Sequence, residues 1–561
     1  MFLSTLLLAF GLACLQAAVV VNVTSYLRLS DHNDRLNLFG GNADAMAYDV
    51  QEQLLYVIGR NNDILNVVDV ADKLNLRVPY KHHFSEIGDG LPLDVAVCRY
   101  SGLNVISRLA ISFADREPTY DGHIEIFDLL DRQNLVLNLR DRIAVHEDPK
   151  SITFSEECDR LVVACEAKAG ARNGNFYDPV GHMDIIRLDP LGSSTTHHMD
   201  FGPDNTQIRQ VYSNYTGSET ILNDLEPEAV VIGSNHTAYV ILQENNAMGS
   251  FSLDNVDSLI QLYDLGSKDF SQYDVDTSDQ DLDESPIGDG INLVRRNVRG
   301  FYQPGDVAVF VHNGEDYLIT ADQGAVKRYT VANEGVDFEE AVRGRTLPAV
   351  DLDVDDTTRQ DLSNNAAMGR LYVSGLKQPS DGFDPIITNK FTSIRTYGAR
   401  GFSIWRPSDL THVYESGGEF EYYMRGYYSS VFNGACYSGA RTPTQDQDHR
   451  SDDKGPEPSA VATGRYQGRR VVVIGSGRSG ALFVYTIENP DATSPPTGTF
   501  QSIFRPGSIT GTWNELYQND IAGHPIVSDI EFVENGDGTA DVFVLGAATG
   551  SLSIYSINEV L

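Results

Sequence analysis

The chain has 561 residues, 41% of them hydrophobic, and a formal net charge of −37 at pH 7. That length exceeds an ordinary single-core domain, so repetition or several domains must carry it. The charge excludes nucleic acid, whose phosphates demand a basic surface, and suits cations, basic partners or a mineral.

Residues 1–18, MFLSTLLLAFGLACLQAA, are apolar, uncharged and end in small side chains. This reads as a secretory signal cut near Ala17 or Ala18, although the usual leading Lys or Arg is missing. No later run approaches the roughly 20 apolar residues that span a bilayer. The closing GSLSIYSINEVL has no tail of the lipid-anchor kind. The expectation is a secreted, extracellular protein with no transmembrane segment and no lipid anchor. Three sequons, at Asn22, Asn214 and Asn235, are candidate glycosylation sites in that compartment. Cys98, Cys158, Cys165 and Cys436 remain once the signal is removed; they are candidates for disulfides, and spacing alone gives no pairing.

From residue 19 onward one pattern recurs: an apolar strand, a turn, a second apolar strand, a polar break, then a third strand ending near Asp or Asn. AVVVNVTSYLRL precedes the first full copy, Asp44 to Val70. A less regular copy runs from Leu93 to Leu129, and another begins at Lys150 and resumes at GHMDIIRLD. Further copies span Glu228–Asn255, Asp306–Val331, Ser459–Asn489 and Ser528–Asn558, with a weaker one between Gly369 and Glu415. Each is rich in Val, Ile, Tyr and Phe and broken by Gly, Asn and Asp, which is strand and turn chemistry; helical periodicity is nearly absent. The predicted fold is all-β: a single β-propeller of seven or eight blades over residues 19–561, with long acidic loop insertions and a ring closed by the N-terminal strand. GSGRSG, Gly475 to Gly480, fits a dinucleotide-loop pattern, but the strand ALFVYTI follows it where a helix is required, so it reads as a hairpin turn.

Acids gather where the copies begin. Asp44, Asp94, Lys150, Glu228, Asp306, Ser459 and Ser528–Asp529 stand at or just before the first long strand. On a propeller's innermost strands such carboxylates would converge and repel one another unless a cation or shared proton relieved them. The candidate metal ligands are Asp44, Asp224, Glu226, Glu228, Asp452, Asp453 and Glu457; all-oxygen ligands point to Ca²⁺ rather than Zn²⁺. The bland alternative is that these acids accept backbone N–H groups in turns. Two other acidic stretches, Asp274–Ser285 and Asp351–Asp361, lack the EF-hand pattern and read as solvated loops. His82–His83 and His197–His198 have no companion at ligand spacing and read as exposed loop residues. There is no G-x-S-x-G elbow and no H-E-x-x-H pair, and no catalytic residue is assigned.

NDLEPEAVVIGSNHTAYVILQENNA, YGARGFSIW and RSDDKGPEPSAV, in that order, resemble the choice-of-anchor I family, and the weaker copies extend the resemblance over nearly the whole chain. That family includes mesenchyme-specific cell-surface glycoproteins associated with biomineralisation. The resemblance implies a secreted or surface-anchored propeller. Its members read D-P-E-S-I where Asp148–Ile152 stands, N-E-G-D where Ala321–Gly324 stands, P-E-P-E-G where Pro456–Ala460 stands, and G-P-E-G where Ile526–Asp529 stands. A D-x-D-G-D-G loop is replaced by PSDGFDP. The acidic ring is thinned, with Glu228 and Asp44 among its survivors. The function expected is that of a non-enzymatic extracellular glycoprotein binding calcium, carbonate mineral or matrix proteins. Alternatives are a calcium-dependent phosphoesterase around Glu228, with Arg400 and Arg450 holding phosphate, and a protein-recognition propeller whose acids only solubilise it.

Overall fold

The computed structural model describes residues 17–84, 90–102, 105–117, 119–189, 194–202, 205–211, 220–331, 336–488 and 494–560. Residues 1–16 and the Asn214 sequon lie outside the described residues.

The fold is all-β, built from many small antiparallel sheets, among them seven of four strands. In six of these the strands follow chain order outward from the first: those starting with Ala45–Asp49, Leu91–Ser101, Pro149–Phe154, Pro227–Ile232, Asp306–His312 and Pro458–Tyr466. The seventh starts with Val527–Glu534 and takes its outer strand from the other end of the chain: Ala18–Arg28 pairs antiparallel with Ser551–Val560. Central strands such as Leu54–Gly59 are buried at every residue and read as unbroken apolar runs, because both faces meet a neighbouring sheet. One apolar cluster joins Tyr56 and Val67 to Val95 and Ile111; another joins Val471 and Val473 to Val542 and Val544. Leu55 and Val57 share a third with Phe543 and Leu545 of the seventh sheet.

The fifth sheet departs from the sequence reading. Its third strand is not Arg328–Val331, which forms a separate hairpin with Val336–Glu339, but Phe402–Arg406, followed by Thr411–Glu415. The weaker copy between Gly369 and Glu415 is therefore not a unit of its own. Its GFSIW half completes the fifth sheet, and Tyr372–Ser374 joins a five-stranded sheet with Ser267–Asp269, Arg299–Phe301, Arg395–Thr396 and Ala341–Arg343. A repeat whose third strand, Phe402–Arg406, returns only after residues 322–401 have intervened keeps its strand pattern but loses its spacing.

Gly475–Gly480 connects Arg469–Ser476 to Leu482–Glu488, paired antiparallel, so the glycines do make a hairpin turn. The disulfide is Cys98–Cys158, which joins the second sheet to the first turn of the third; Cys165 and Cys436 are buried free thiols.

Candidate functional site

The first strands set the site. In five of them the pairing slips by one residue near the start, between Pro92 and Asp94, Pro149 and Ser151, Pro227 and Ala229, Pro458 and Ala460, and Val527 and Asp529. Four of these slips begin at a proline, which has no N–H to give the ladder and so favours a bulge. The extra residues are Leu93, Lys150, Glu228, Ser459 and Ser528. Side chains alternate along a strand, so Asp94 and Asp529, one residue later, turn elsewhere.

They turn toward the next sheet. Asp94 Oδ2 accepts the backbone N–H of Ile152 at 2.8 Å, Asp306 Oδ2 that of Val461 at 2.8 Å, and Asp529 Oδ2 that of Met46 at 2.8 Å. Ser151 Oγ does the same for Val230 at 3.4 Å. Burial raises Asp94 to about 6 and Asp306 to about 7, with the accepted N–H groups pulling the other way. These three acids hold sheets together, accepting N–H groups of the next sheet's first strand rather than of a local turn.

Asp44, Lys150, Glu228 and Ser459 each stand two residues before an N–H that donates such a bond. Asp44 Oδ2 accepts the N–H of Arg60 at 2.8 Å. Lys150 Nζ lies 3.0 Å from Glu166 Oε2 and 3.4 Å from Glu228 Oε1, and Lys168 Nζ is 2.7 Å from Glu166 Oε1. Glu166, Glu228 and Glu244 each bring a carboxylate oxygen within 4.8 Å of the others. Burial pushes Glu228 up to about 7, with Lys150 opposing. Among the described residues Glu228 Oε2 and Glu244 Oε2 have no hydrogen-bond partner.

Asp224 and Glu226 sit one step further along the same wall. Asp224 ends the short helix Ile221–Asp224, capped by Thr220, and its carboxylate accepts from Val211 N at 2.6 Å, Asn245 Nδ2 at 2.9 Å and Lys327 Nζ at 2.8 Å. Lys327 also reaches Glu226 Oε1 at 3.1 Å. The Gln243–Asn246 turn closes this region: Glu244 O accepts from the fully buried Arg209, which is held between Asp381 and Glu340.

Asp452, Asp453 and Glu457 stand apart from Glu228, beside an open cleft of about 470 Å³ lined by Arg328, Arg343, Arg370, Arg450, Lys454 and Arg478. Asp452 bridges Arg343 at 2.7 Å and Arg370 at 2.9 Å, and Asp453 pairs with Arg450 at 2.5 Å. Glu457 meets Lys454 at 2.6 Å, Arg478 at 2.7 Å and Arg450 at 3.0 Å. Burial alone would raise it; those three cations hold it well below the usual carboxylate range. Each ligand candidate except Asp44 thus faces a lysine or arginine, the place an added cation would take.

Several placements escape the sequence reading. His198 is not a loose loop residue: it lies on Thr195–Met199 directly opposite Asp184, with Nδ1 2.7 Å from the carboxylate. His146 Nδ1 reaches the same carboxylate at 2.9 Å and stacks on His182 at 3.8 Å. These residues come from three strands, so no local spacing announces them. His82 lies on a strand too, edge-on to Phe84 at 4.9 Å. Arg400, considered as a phosphate clamp, is buried and spends its guanidinium on Glu421 and on the carbonyls of Asp276, Ser451 and Asp453. The stretch Asp274–Ser285, read as solvated, buries Asp276 and Asp281. In Asp351–Asp361, Asp355 caps the helix Asp356–Ser363, accepting from Thr358 N at 2.9 Å.

Comparisons with known proteins agree with the resemblance. The choice-of-anchor I domain matches residues 44–490. The mesenchyme-specific cell surface glycoprotein of Strongylocentrotus purpuratus is 26% identical over 56% of this chain and 42% of its own. Gigasin-3a of Magallana gigas is 32% identical over 35% of this chain and 66% of its own. The chain therefore spans less than half of the first relative and about two thirds of the second. Among solved structures, the Cps50 (Swd1) beta-propeller domain of Myceliophteria thermophila is similar over 96% of this chain and all of its own, with 8% identity and TM-score 0.41. Virginiamycin B lyase from Staphylococcus aureus is similar over 97% of this chain and all of its own, with 8% identity and TM-score 0.38. On the match over residues 44–490, the chain belongs to the choice-of-anchor I domain family.

Proposed function

We propose that the protein is a non-enzymatic extracellular glycoprotein, a seven-bladed β-propeller whose acidic exterior binds calcium, carbonate mineral or basic matrix partners. The observation that carries this reading is charge. The chain has 79 Asp and Glu against 42 Lys and Arg. Lysines and arginines at the candidate site, among them Lys150, Lys327 and Arg450, are already committed to carboxylates inside the fold. The acidic surplus is thus left for the exterior, where it attracts cations loosely and over a broad area. The propeller reading is supported by first strands that pack on one another in succession, with that of the seventh sheet against Ala45–Asp49 of the first. Asn22 and Asn235 lie on the described surface, as glycosylation requires. No helix among the described residues is long and apolar enough to cross a membrane.

Calcium titration of the deglycosylated protein tests the reading: uptake of several ions at millimolar concentration supports it, and no uptake removes it. A phosphoesterase is favoured only by the arginines of the open cleft, which could hold a phosphoryl group. The described lining of that cleft contains no serine, threonine or cysteine, which suits binding better than turnover. Hydrolysis of a generic phosphomonoester with calcium, equal and negligible in the wild type, in Glu228→Gln and in the cleft variant Arg450→Ala, would leave the non-enzymatic reading standing; a rate lost in either variant would replace it.

A further inference from the structure

The acids of the candidate site face cations. A second group does not. Asp276 and Asp281, from the stretch DVDTSDQDLDES, and Asp448, from the segment before Pro458–Tyr466, bring carboxylate oxygens within 4.8 Å of one another. Their exposures are 0%, 2% and 8%. Among the described residues no lysine or arginine forms an ion pair with any of the three; the neighbouring Asp279 takes Arg370, and Glu421 takes Arg400. Neutral donors meet part of the demand: Asp276 accepts from the backbone N–H groups of Ser278 at 3.2 Å and Asn292 at 2.8 Å, and Asp448 from the Ser451 hydroxyl at 2.6 Å. Among the described residues no donor reaches Asp281 Oδ1, although its residue is almost fully enclosed and its carboxyl group faces that of Asp276.

An unpartnered buried carboxylate oxygen is among the costlier things a fold can hold, and three mutually repelling acids multiply the cost. Burial, then mutual repulsion, drives Asp276 and Asp448 far above the ordinary carboxylate range. Two remedies exist, shared protons or a cation. Three further observations favour the cation. Asn433 Oδ1, a neutral buried oxygen whose amide nitrogen is two hydrogen bonds from Asp448 through Ser451, also meets no donor among the described residues. Such a surplus of acceptors over donors is what a cation meets. The donors are all oxygen, with no histidine or cysteine in the group, which suits a hard ion with a flexible shell. The two loops are also already held in place, because Arg400 binds the Asp276 carbonyl at 2.5 Å and the Ser451 and Asp453 carbonyls at 2.9 and 3.1 Å.

We propose that Asp276, Asp281 and Asp448 form a binding site for one divalent cation of the calcium type, which fastens segment 274–285 to segment 446–453. The proposal deepens the calcium reading above and rests on it only for the choice of ion. The site is internal and specific, whereas the mineral reading concerns loose uptake over the exterior.

The test uses the full chain, dialysed against chelator and then returned to calcium or kept in chelator. Wild type melts at a higher temperature in calcium, and titration shows a single tight event before the millimolar uptake, since an ion that binds only the folded chain stabilises it. Asp281→Asn and Asp448→Asn lose both the tight event and the calcium-dependent rise. In chelator they melt no lower than wild type, because neutralising one acid relieves the repulsion. If the variants fail to fold, the wild-type comparison still decides: identical melting in calcium and chelator, with no tight event, overturns the site. A variant that keeps the full calcium response overturns it equally. Loss of the tight event with millimolar uptake intact would strike the site alone; a tight event without millimolar uptake would strike the broader reading alone.

Discussion

Asp306 accepts the backbone N–H of Val461 at 2.8 Å, joining two first strands 155 residues apart in the chain. The bond is part-buried, and its acceptor stands on the fifth sheet while its donor stands on the sixth. Asp306→Ala leaves that N–H without a partner and costs about 1–3 kcal/mol in thermal or chemical unfolding; Asp306→Asn, which keeps an acceptor oxygen, costs less. Burial raises Asp306 in the folded chain to about 7, above its unfolded value of 3.8. Its contribution is therefore fully present below pH 3.8 and lost as pH rises through 7. Measured at pH 8, the Asn variant gains on wild type relative to pH 5.

Lys150 is the internal counter-ion of the Glu228 cluster. Lys150→Met leaves Glu228 without its ion-pair partner and Glu166 with Lys168 alone. Removing one member of a buried pair costs roughly 3–5 kcal/mol, read as a lower denaturation midpoint at pH 8. Lys150→Met combined with Glu228→Gln recovers part of that loss, because the orphaned acid is gone. The same pair has a pH signature: Glu228, pushed up to about 7 from 4.5, favours folding at low pH and loses that contribution through pH 7. Glu228→Gln is thus more favourable, relative to wild type, at pH 8 than at pH 5.

Much of this fold is legible in the sequence, because strand copies carry their own turn residues and apolar runs. GSGRSG reads as a turn for the local reason that a strand follows it, and the structure agrees. The weaker copy near Gly369 misleads because an insertion separates the fifth sheet's second and third strands, and insertion length leaves no mark on strand periodicity. The acids misalign by one residue: the bulge at Lys150 and Glu228 and the next position, held by Asp94, Asp306 and Asp529, differ only in which way the side chain turns. Asp276 and Asp281 look solvated because burial of an acid depends on what packs over it, here a segment more than 150 residues later. His146, Asp184 and His198 meet across three strands, which no linear spacing records.

The disulfide Cys98–Cys158 closes a loop over a sequence separation of 60. On the loop-entropy account, Cys98→Ser with Cys158→Ser lowers stability by about 4 kcal/mol. Cys165 and Cys436 are buried, and burial raises both thiols, so labelling of native protein by a thiol reagent at pH 8 is slow and becomes rapid on unfolding.

His524 is enclosed, with Nε2 2.6 Å from the Tyr555 hydroxyl, and burial lowers it to about 4 from 6.5. A folded state that prefers the neutral ring loses stability as pH falls from 6.5 toward 4. At pH 5 this one group accounts for about 2 kcal/mol relative to pH 8. His524→Gln flattens the unfolding free energy over that range, and a slope unchanged from wild type would assign the acid sensitivity elsewhere, with His182, also lowered to about 4, next in turn.

The proposed function puts the working part of the molecule on its acidic exterior rather than in a catalytic centre. Adsorption of the deglycosylated full chain to calcium carbonate, at pH 8 and physiological ionic strength, tests it most directly. The account predicts saturable retention on the mineral that is released by soluble calcium or by high salt. Protein that stays wholly in solution across that range would contradict it.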